Sequence, residues 1–184
     1  MSKIKYKLNK TNSIKEIIEM KKNKDPKILK KGFRLHYIIL PVALIIIDQL
    51  TKYFISNNLE IGEEIIVIPG IFNIQYIINK GAALGILNDM TLFLIIISIF
   101  MIIFIIFIAI KEKKSGNTIV PELIIIGGAF GNLIDRLFLS GQVRDFLEVP
   151  FFAVMNFADW FVSLGIFLFV IKILFYSKKE IINE

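Results

Sequence analysis

Residues 91–110 read TLFLIIISIFMIIFIIFIAI, twenty positions in a row without an ionisable side chain. At 1.5 Å per residue a helix of that length rises ~30 Å, the thickness of the hydrocarbon core of a bilayer. The rest of the chain agrees with a membrane protein. Of its 184 residues 55% are AVILMFWYC and 21% are charged, with a mean hydropathy of +0.69, unlike a soluble domain of this size. Three further stretches, about 35–55, 119–139 and 156–176, are also long and apolar enough to span. The expected fold is an all-α integral membrane protein, a four-helix transmembrane bundle spanning from about residue 35 to 177.

An even number of spans puts both termini on one side, and Lys and Arg accumulate in cytoplasmic segments. Residues 1–34 carry twelve of the 22 basic residues, the loop after the second span has Lys111, Lys113 and Lys114, and the C-terminal end has Lys172, Lys178 and Lys179. The two other connections carry only Lys80 and Arg144. Both termini are therefore expected in the cytoplasm, and the net charge of +6 reflects orientation and not nucleic-acid binding. Residues 1–34 read as a basic cytoplasmic extension, in which Ser13 and Glu16 match a capping box, and residues 178–184 as a short cytoplasmic tail. The first apolar run reads as retained, because no small-x-small cleavage site follows it. On the outer side, Glu63-Glu64, the apolar run Ile65 to Ile68, the Pro69-Gly70 turn and a partly alternating Ile71 to Ile77 predict a small β segment within about 56–85.

Charged side chains in hydrocarbon cost at least ~2.5–3.5 kcal/mol each, so every one calls for a partner or a function. Asp48 and Lys52 lie late in the first span, and Asn132, Asp135 and Arg136 late in the third, which runs in the same direction. Asp159 lies early in the fourth, which returns from outside, and Asp145 is in the short connection before it. The intramembrane ionisable residues are thus expected at one depth, in the outer third of the bilayer. Asp48–Lys52 at i, i+4 and Asp135–Arg136 fit structural ion pairs as readily as functional groups. Gly127, Gly128 and Gly131 would let helices approach closely. Asp145 and Asp159 are left without an evident basic partner, since Arg144, adjacent to Asp145 in a strand or extended loop, would point away from it.

Two carboxylates at a partly desolvated site cannot both ionise comfortably, so one keeps a proton and the pair offers a base and an acid together. That is the logic of aspartic proteolysis. The chain has no cysteine and one histidine, His36, and lacks HExxH and GxSxG, so thiolate, zinc and serine-triad chemistry lack their parts. Lys52 and Ser56, four apart, are a weak Ser-Lys alternative. A proton- or ion-coupled transporter also uses intramembrane carboxylates and is the rival from another class, although it calls for acids near the midplane.

Five motifs then occur in order. Asp48-Gln49-Leu50-Thr51-Lys52 resembles DQxTK, and Asn79-Lys80-Gly81-Ala82-Ala83-Leu84-Gly85 resembles NxGAAFG with Leu84 in place of Phe. The run from Gly127 to Arg136 matches GGAxGNxxDR, Val143-Arg144-Asp145-Phe146 resembles VVDF with Arg144 in place of an apolar residue, and Asn156-Phe157-Ala158-Asp159 matches NxAD. On these motifs, residues 35–176 are similar to the bacterial lipoprotein signal peptidases, the type II signal peptidases. The resemblance implies a membrane aspartic endopeptidase that cleaves prolipoproteins before a diacylglyceryl-modified cysteine at the outer face of the cytoplasmic (inner) membrane. It implies Asp145 and Asp159 as the catalytic pair. Asn79, Gly81, Asn132 and Arg136 would contact substrate or align the dyad, Asn156 would support Asp159, and Asp48, Lys52 and Asp135 would hold the architecture. No metal or cofactor is implied, and a monomer in the lipid bilayer is expected.

Overall fold

The structure, a computed structural model, describes residues 35–81, 91–150 and 152–183. The readings placed on residues 1–34, and on Ala82 to Gly85, lie outside them. Four helices are present among the described residues: α1 (His36–Asn58), α2 (Thr91–Lys114), α3 (Val120–Phe138) and α4 (Phe157–Asn183). Three of them contain stretches long and apolar enough to cross a membrane, Tyr37–Asn58, Thr91–Lys114 and Phe157–Phe175. The expected span at about 119–139 is the helix α3, whose Glu122, Asp135 and Arg136 keep it from the same apolar standard. α4 continues to Asn183, through residues that sequence reading assigns to the tail.

Side-chain polarity is arranged inside out. On α1, Ile39, Ile46, Leu50 and Phe54 are exposed while Asp48 and Lys52 are fully buried. Most large side chains of α2 also face outward, including Leu92, Phe100 and Phe107. Exposed apolar surface on this scale belongs against lipid. α3 is the central helix, packed on α1, α2 and α4. Small residues make that packing close. A methyl group at Gly127 would press on Leu44 and Pro41 of α1, and one at Gly128 would strike the Ala158 carbonyl oxygen of α4.

The β segment is larger than expected. β1 (Glu64–Ile68) and β2 (Phe72–Asn79) form the anticipated hairpin around Pro69-Gly70, with Gly70 at φ 75°. A third strand, β3 (Val143–Glu148), comes from the connection between α3 and α4 and pairs antiparallel with β2, giving the order β1-β2-β3. Ile55, Tyr76, Phe146 and Leu147 form a buried cluster that fastens the sheet to α1. Phe157 at the start of α4 meets Phe146 edge-on at 5.9 Å.

One expectation about charge is corrected. Not all intramembrane ionisable groups gather at one depth: Glu122, in the first turn of α3, is fully buried and pairs with Lys172 of α4 at 2.6 Å. Lys172 also bridges to Glu112 of α2 at 2.9 Å. Lys172 is thus a structural residue inside the helix bundle and does not belong with the terminal basic residues. Ten residues of helix, roughly 15 Å, separate Glu122 from Asn132.

Candidate active site

The strand register explains how Asp145 is presented. β2 and β3 pair with Asn79 opposite Val143 and Ile77 opposite Asp145. Alternation puts Val143 and Asp145 on one face and Arg144 on the other. Asn79 is then the diagonal neighbour of Asp145, within reach of its side chain, and its Nδ2 donates to Asp145 Oδ2 at 2.9 Å. The Asn79 amide is itself oriented by the Gly81 N–H, which donates to Asn79 Oδ1 at 2.9 Å. Gly81 has φ 130°, a conformation that costs other residues dearly, so this bend calls for glycine.

Asp159 is placed by the way α4 begins. Asn156 precedes the helix and accepts the Asp159 N–H at its Oδ1 (3.0 Å), while Asp159 Oδ2 accepts the Asn156 N–H (3.1 Å). These reciprocal bonds are a capping box, which satisfies two donors that every helix start leaves open. They also hold the Asp159 carboxylate at the mouth of the helix. The remaining Asn156 donor, Nδ2, reaches across to Asp145 Oδ1 at 2.6 Å. Asn132 of α3 completes the set, donating from Nδ2 to Asp159 Oδ1 at 2.7 Å. Each of the four carboxylate oxygens of Asp145 and Asp159 therefore accepts one hydrogen bond from the asparagine frame.

The frame rests on a second layer of charge. Lys52 Nζ donates to Asn132 Oδ1 at 2.9 Å and pairs with Asp48 at 2.8 Å. Asp48 Oδ1 accepts the Ala158 N–H at 2.9 Å, pinning α4 next to Asp159. Asp48 approaches over Gly131, where a methyl group would come within 2.5 Å of Asp48 Oδ2. Asp135 pairs with Lys52 at 3.6 Å and with Arg144 at 2.7 Å. The expected Asp135–Arg136 pair is thus replaced: adjacent helical residues point about 100° apart, and Asp135 faces Lys52 and Arg144. Arg136 instead lies within electrostatic reach of Asp159 and Asp145, and its Nε is buried without a hydrogen-bond partner among the described residues.

Asp145 is 1% exposed and Asp159 partly exposed, and neither has an ion-pair partner among the described residues. Burial pushes the Asp145 carboxyl up to about 7; the hydrogen bond from Asn79 works against this and the charge of Asp159 adds to it. Beside the pair opens a cavity of ≈ 580 Å³ between α2, α3 and α4. Its walls are apolar, with Ile97, Met101, Ile125 and Val162 among them, and Asn132, Arg136 and Asp159 also line it. Of the polar groups in this lining, Arg136 and Asp159 are ionisable, and Asn132, Ser98 and Ser163 are neutral.

All the anticipated site residues thus converge except that Gly81 acts through Asn79. Sequence reasoning missed Gln49, whose Nε2 donates to the Gly131 carbonyl (2.9 Å) and to Asp135 Oδ1 (3.2 Å). It also missed Arg144 as the second cation of the buried layer. The Asn156–Asp159 spacing did carry a capping-box signal.

A model described as Signal peptidase (SPase) II matches residues 40–175. The chain is 36% identical over 155 residues to a lipoprotein signal peptidase of Lactobacillus johnsonii, covering 83% of this chain and all of that one. It is 35% identical over 154 residues to a lipoprotein signal peptidase of Fusobacterium nucleatum, covering 81% and 92%. A solved structure of a bacterial membrane enzyme, determined by the in meso method at 2.3 Å, superposes with a TM-score of 0.73 at 35% identity, over 80% of this chain and 92% of that one.

Proposed function

The chain belongs to the signal peptidase II family, and from that premise we propose that it is an aspartic endopeptidase removing signal peptides from prolipoproteins, with Asp145 and Asp159 as the catalytic pair. The observation that carries this reading is the asparagine frame, in which Asn156 touches both acids and holds them beside an apolar cleft. The bond cleaved is the one before a diacylglyceryl-modified cysteine, at the outer face of the cytoplasmic membrane. All four helices, α3 included, cross the bilayer, with both termini in the cytoplasm. A peptidase family displaces the transporter alternative.

The chemistry follows from the two environments. Asp145, buried and raised to about 7, holds the proton, and the more exposed Asp159 acts as the base. Asp159 takes a proton from water as the water oxygen bonds to the scissile carbonyl carbon, and Asp145 donates its proton to the carbonyl oxygen. The tetrahedral intermediate collapses when Asp159 passes its proton to the departing nitrogen, the C–N bond breaks, and Asp145 recovers the hydroxyl proton. The dyad returns to its starting state. The signal helix lies in the cleft and the lipid chains of the substrate remain in the outer leaflet, so the scissile bond is held at the depth of the acids.

The test is cleavage of a diacylglyceryl-modified precursor by the purified protein. Asp145→Asn and Asp159→Asn should each abolish it while leaving a folded, membrane-inserted chain. Near-normal turnover by either variant would sink the assignment.

A further inference from the structure

Resting on the endopeptidase reading, we propose that Arg144 is a positioning residue for the dyad: its guanidinium and backbone N–H grip both oxygens of Asp135, seating β3 on α3 and so fixing where Asp145 faces Asp159.

The grip is made of four contacts. Arg144 Nη2 donates to Asp135 Oδ1 at 2.7 Å, and Nε donates to Asp135 Oδ2 at 3.2 Å. The Arg144 backbone N–H donates to the same Oδ2 at 2.9 Å. Nη2 also donates to Gln49 Oε1 of α1 at 3.2 Å. A planar fork on a carboxylate fixes orientation as well as distance, which a single ammonium does not. The residue gripped in this way is the immediate neighbour of Asp145. Its peptide plane is thereby fixed on the face of β3 opposite to the one that bears the acid.

The same contacts reach Asp159 by another route. Asp135 has two cations, and because Arg144 is the nearer, Lys52 is left to bond Asp48 at 2.8 Å and Asn132 at 2.9 Å. Asn132 in turn donates to Asp159. Arg144 also balances the buried charge: Asp48 and Asp135 carry two negative charges, Lys52 and Arg144 two positive ones. Without Arg144 the layer beneath the dyad has a net negative charge, and Lys52 is drawn toward Asp135.

The consequence is measurable in how Asp145 titrates. The groups facing Asp145 are Asn79 of β2, Asn156 and Asp159 at the start of α4, Lys52 of α1 and Arg136 of α3. Arg144 touches none of the acid's oxygens, so its influence passes through the backbone and through the charge of the Asp135–Lys52 layer. Removing a positive charge disfavours the anion, so the midpoint of Asp145 should move upward.

The experiment compares Arg144→Gln and Arg144→Lys in the full chain reconstituted in lipid. With a lipidated precursor, Arg144→Gln should lower kcat on the order of 10–100-fold with KM changed less than about threefold, the loss of a charge-assisted contact appearing in turnover and not in binding. Arg144→Lys, which keeps the charge and loses the fork, should recover part of that loss. Parental kcat and pH profile in Arg144→Gln would overturn the proposal. An arm independent of turnover follows the protonated-carboxyl infrared band of Asp145, assigned by its absence in Asp145→Asn. Its midpoint should rise in Arg144→Gln and return partway in Arg144→Lys, and an unmoved midpoint would overturn the positioning role. If the parent chain leaves the precursor intact, the endopeptidase reading falls, and the infrared arm still decides the role of Arg144.

Discussion

Asn156 Nδ2 lies 2.6 Å from Asp145 Oδ1, while the backbone of the same asparagine donates to Asp159 at 3.1 Å. One residue therefore bonds both acids, adding to the backbone bridge between Leu147 and Met155 that joins β3 to the segment before α4. Asn156→Ala should lower kcat by roughly 10–100-fold, the effect of losing the side-chain hydrogen bond to Asp145 together with the alignment it gives. Because that bond favours the Asp145 anion, its loss should also raise the midpoint of the acid, visible as an upward shift of the alkaline limb of the rate profile.

Asp145 links pH to stability. Its carboxyl titrates near 7 in the fold and near 3.8 when the chain is open, so between those values the unfolded chain binds fewer protons. Stability contributed by the neutral form is complete below the lower value and is lost as pH rises through 7. Asp145→Asn removes this dependence. Relative to the parent, the variant should gain about 2–3 kcal/mol more at pH 8 than at pH 5, read as denaturation midpoints at the two pH values. Equal differences at both would contradict a buried neutral Asp145.

The Asp48–Lys52 pair is fully buried, so cutting it from one side strands a charge. Asp48→Asn should destabilise by about 3–5 kcal/mol. Asp48→Asn combined with Lys52→Met should recover part of that loss, and a double-mutant cycle on thermal midpoints measures the coupling.

Lys172→Met strands Glu122 in the same way, with an expected loss of about 3–5 kcal/mol, and Glu122→Gln on that background should restore much of it. The site lies roughly 15 Å along α3 from Asn132. kcat of the double variant at permissive temperature should stay within about twofold of the parent; a larger fall would show that the ion pair reaches the dyad.

Gly131→Ala places a methyl group within 2.5 Å of Asp48 Oδ2 and 3.1 Å of Ala158 Cβ. Both neighbours are held by the Asp48–Ala158 hydrogen bond, so neither can yield without moving α4. The expected cost is about 1–3 kcal/mol with a parallel loss of turnover, read by melting and by precursor cleavage.

Much of this was legible in the sequence because hydrocarbon makes polar residues conspicuous. Asp48, Lys52, Asn132 and Asp135 stand out from apolar helices, and Asp145 and Asp159 were already the acids without partners. The pairing among them was harder to read, since helical spacing says which residues share a face but not which neighbour that face meets. Asp135 and Arg136 are adjacent in sequence and look paired, yet Asp135 takes its cations from α1 and from the strand after α3. Arg144 pointed away from Asp145, as alternation requires, but where it pointed depended on how β3 docks. Glu122 and Lys172 are fifty residues apart, and Lys172 looked like one more basic residue near the chain end.

The dyad and its asparagine frame are assembled from α1, β2, α3, β3 and α4. None of the hydrogen bonds that build them comes from α2 among the described residues: its polar ties include Thr91 to the Ser140 carbonyl, Glu112 to Lys172 and Lys113 over the Tyr37 ring, and it supplies one wall of the cleft. On the proposed reading, the groups that hydrolyse and part of the wall that receives the substrate come from different elements of one small chain. On the proposed reading, exchanging Ile97, Met101 or Ile105 is a route to altered substrate choice that leaves the dyad and its asparagine frame unchanged.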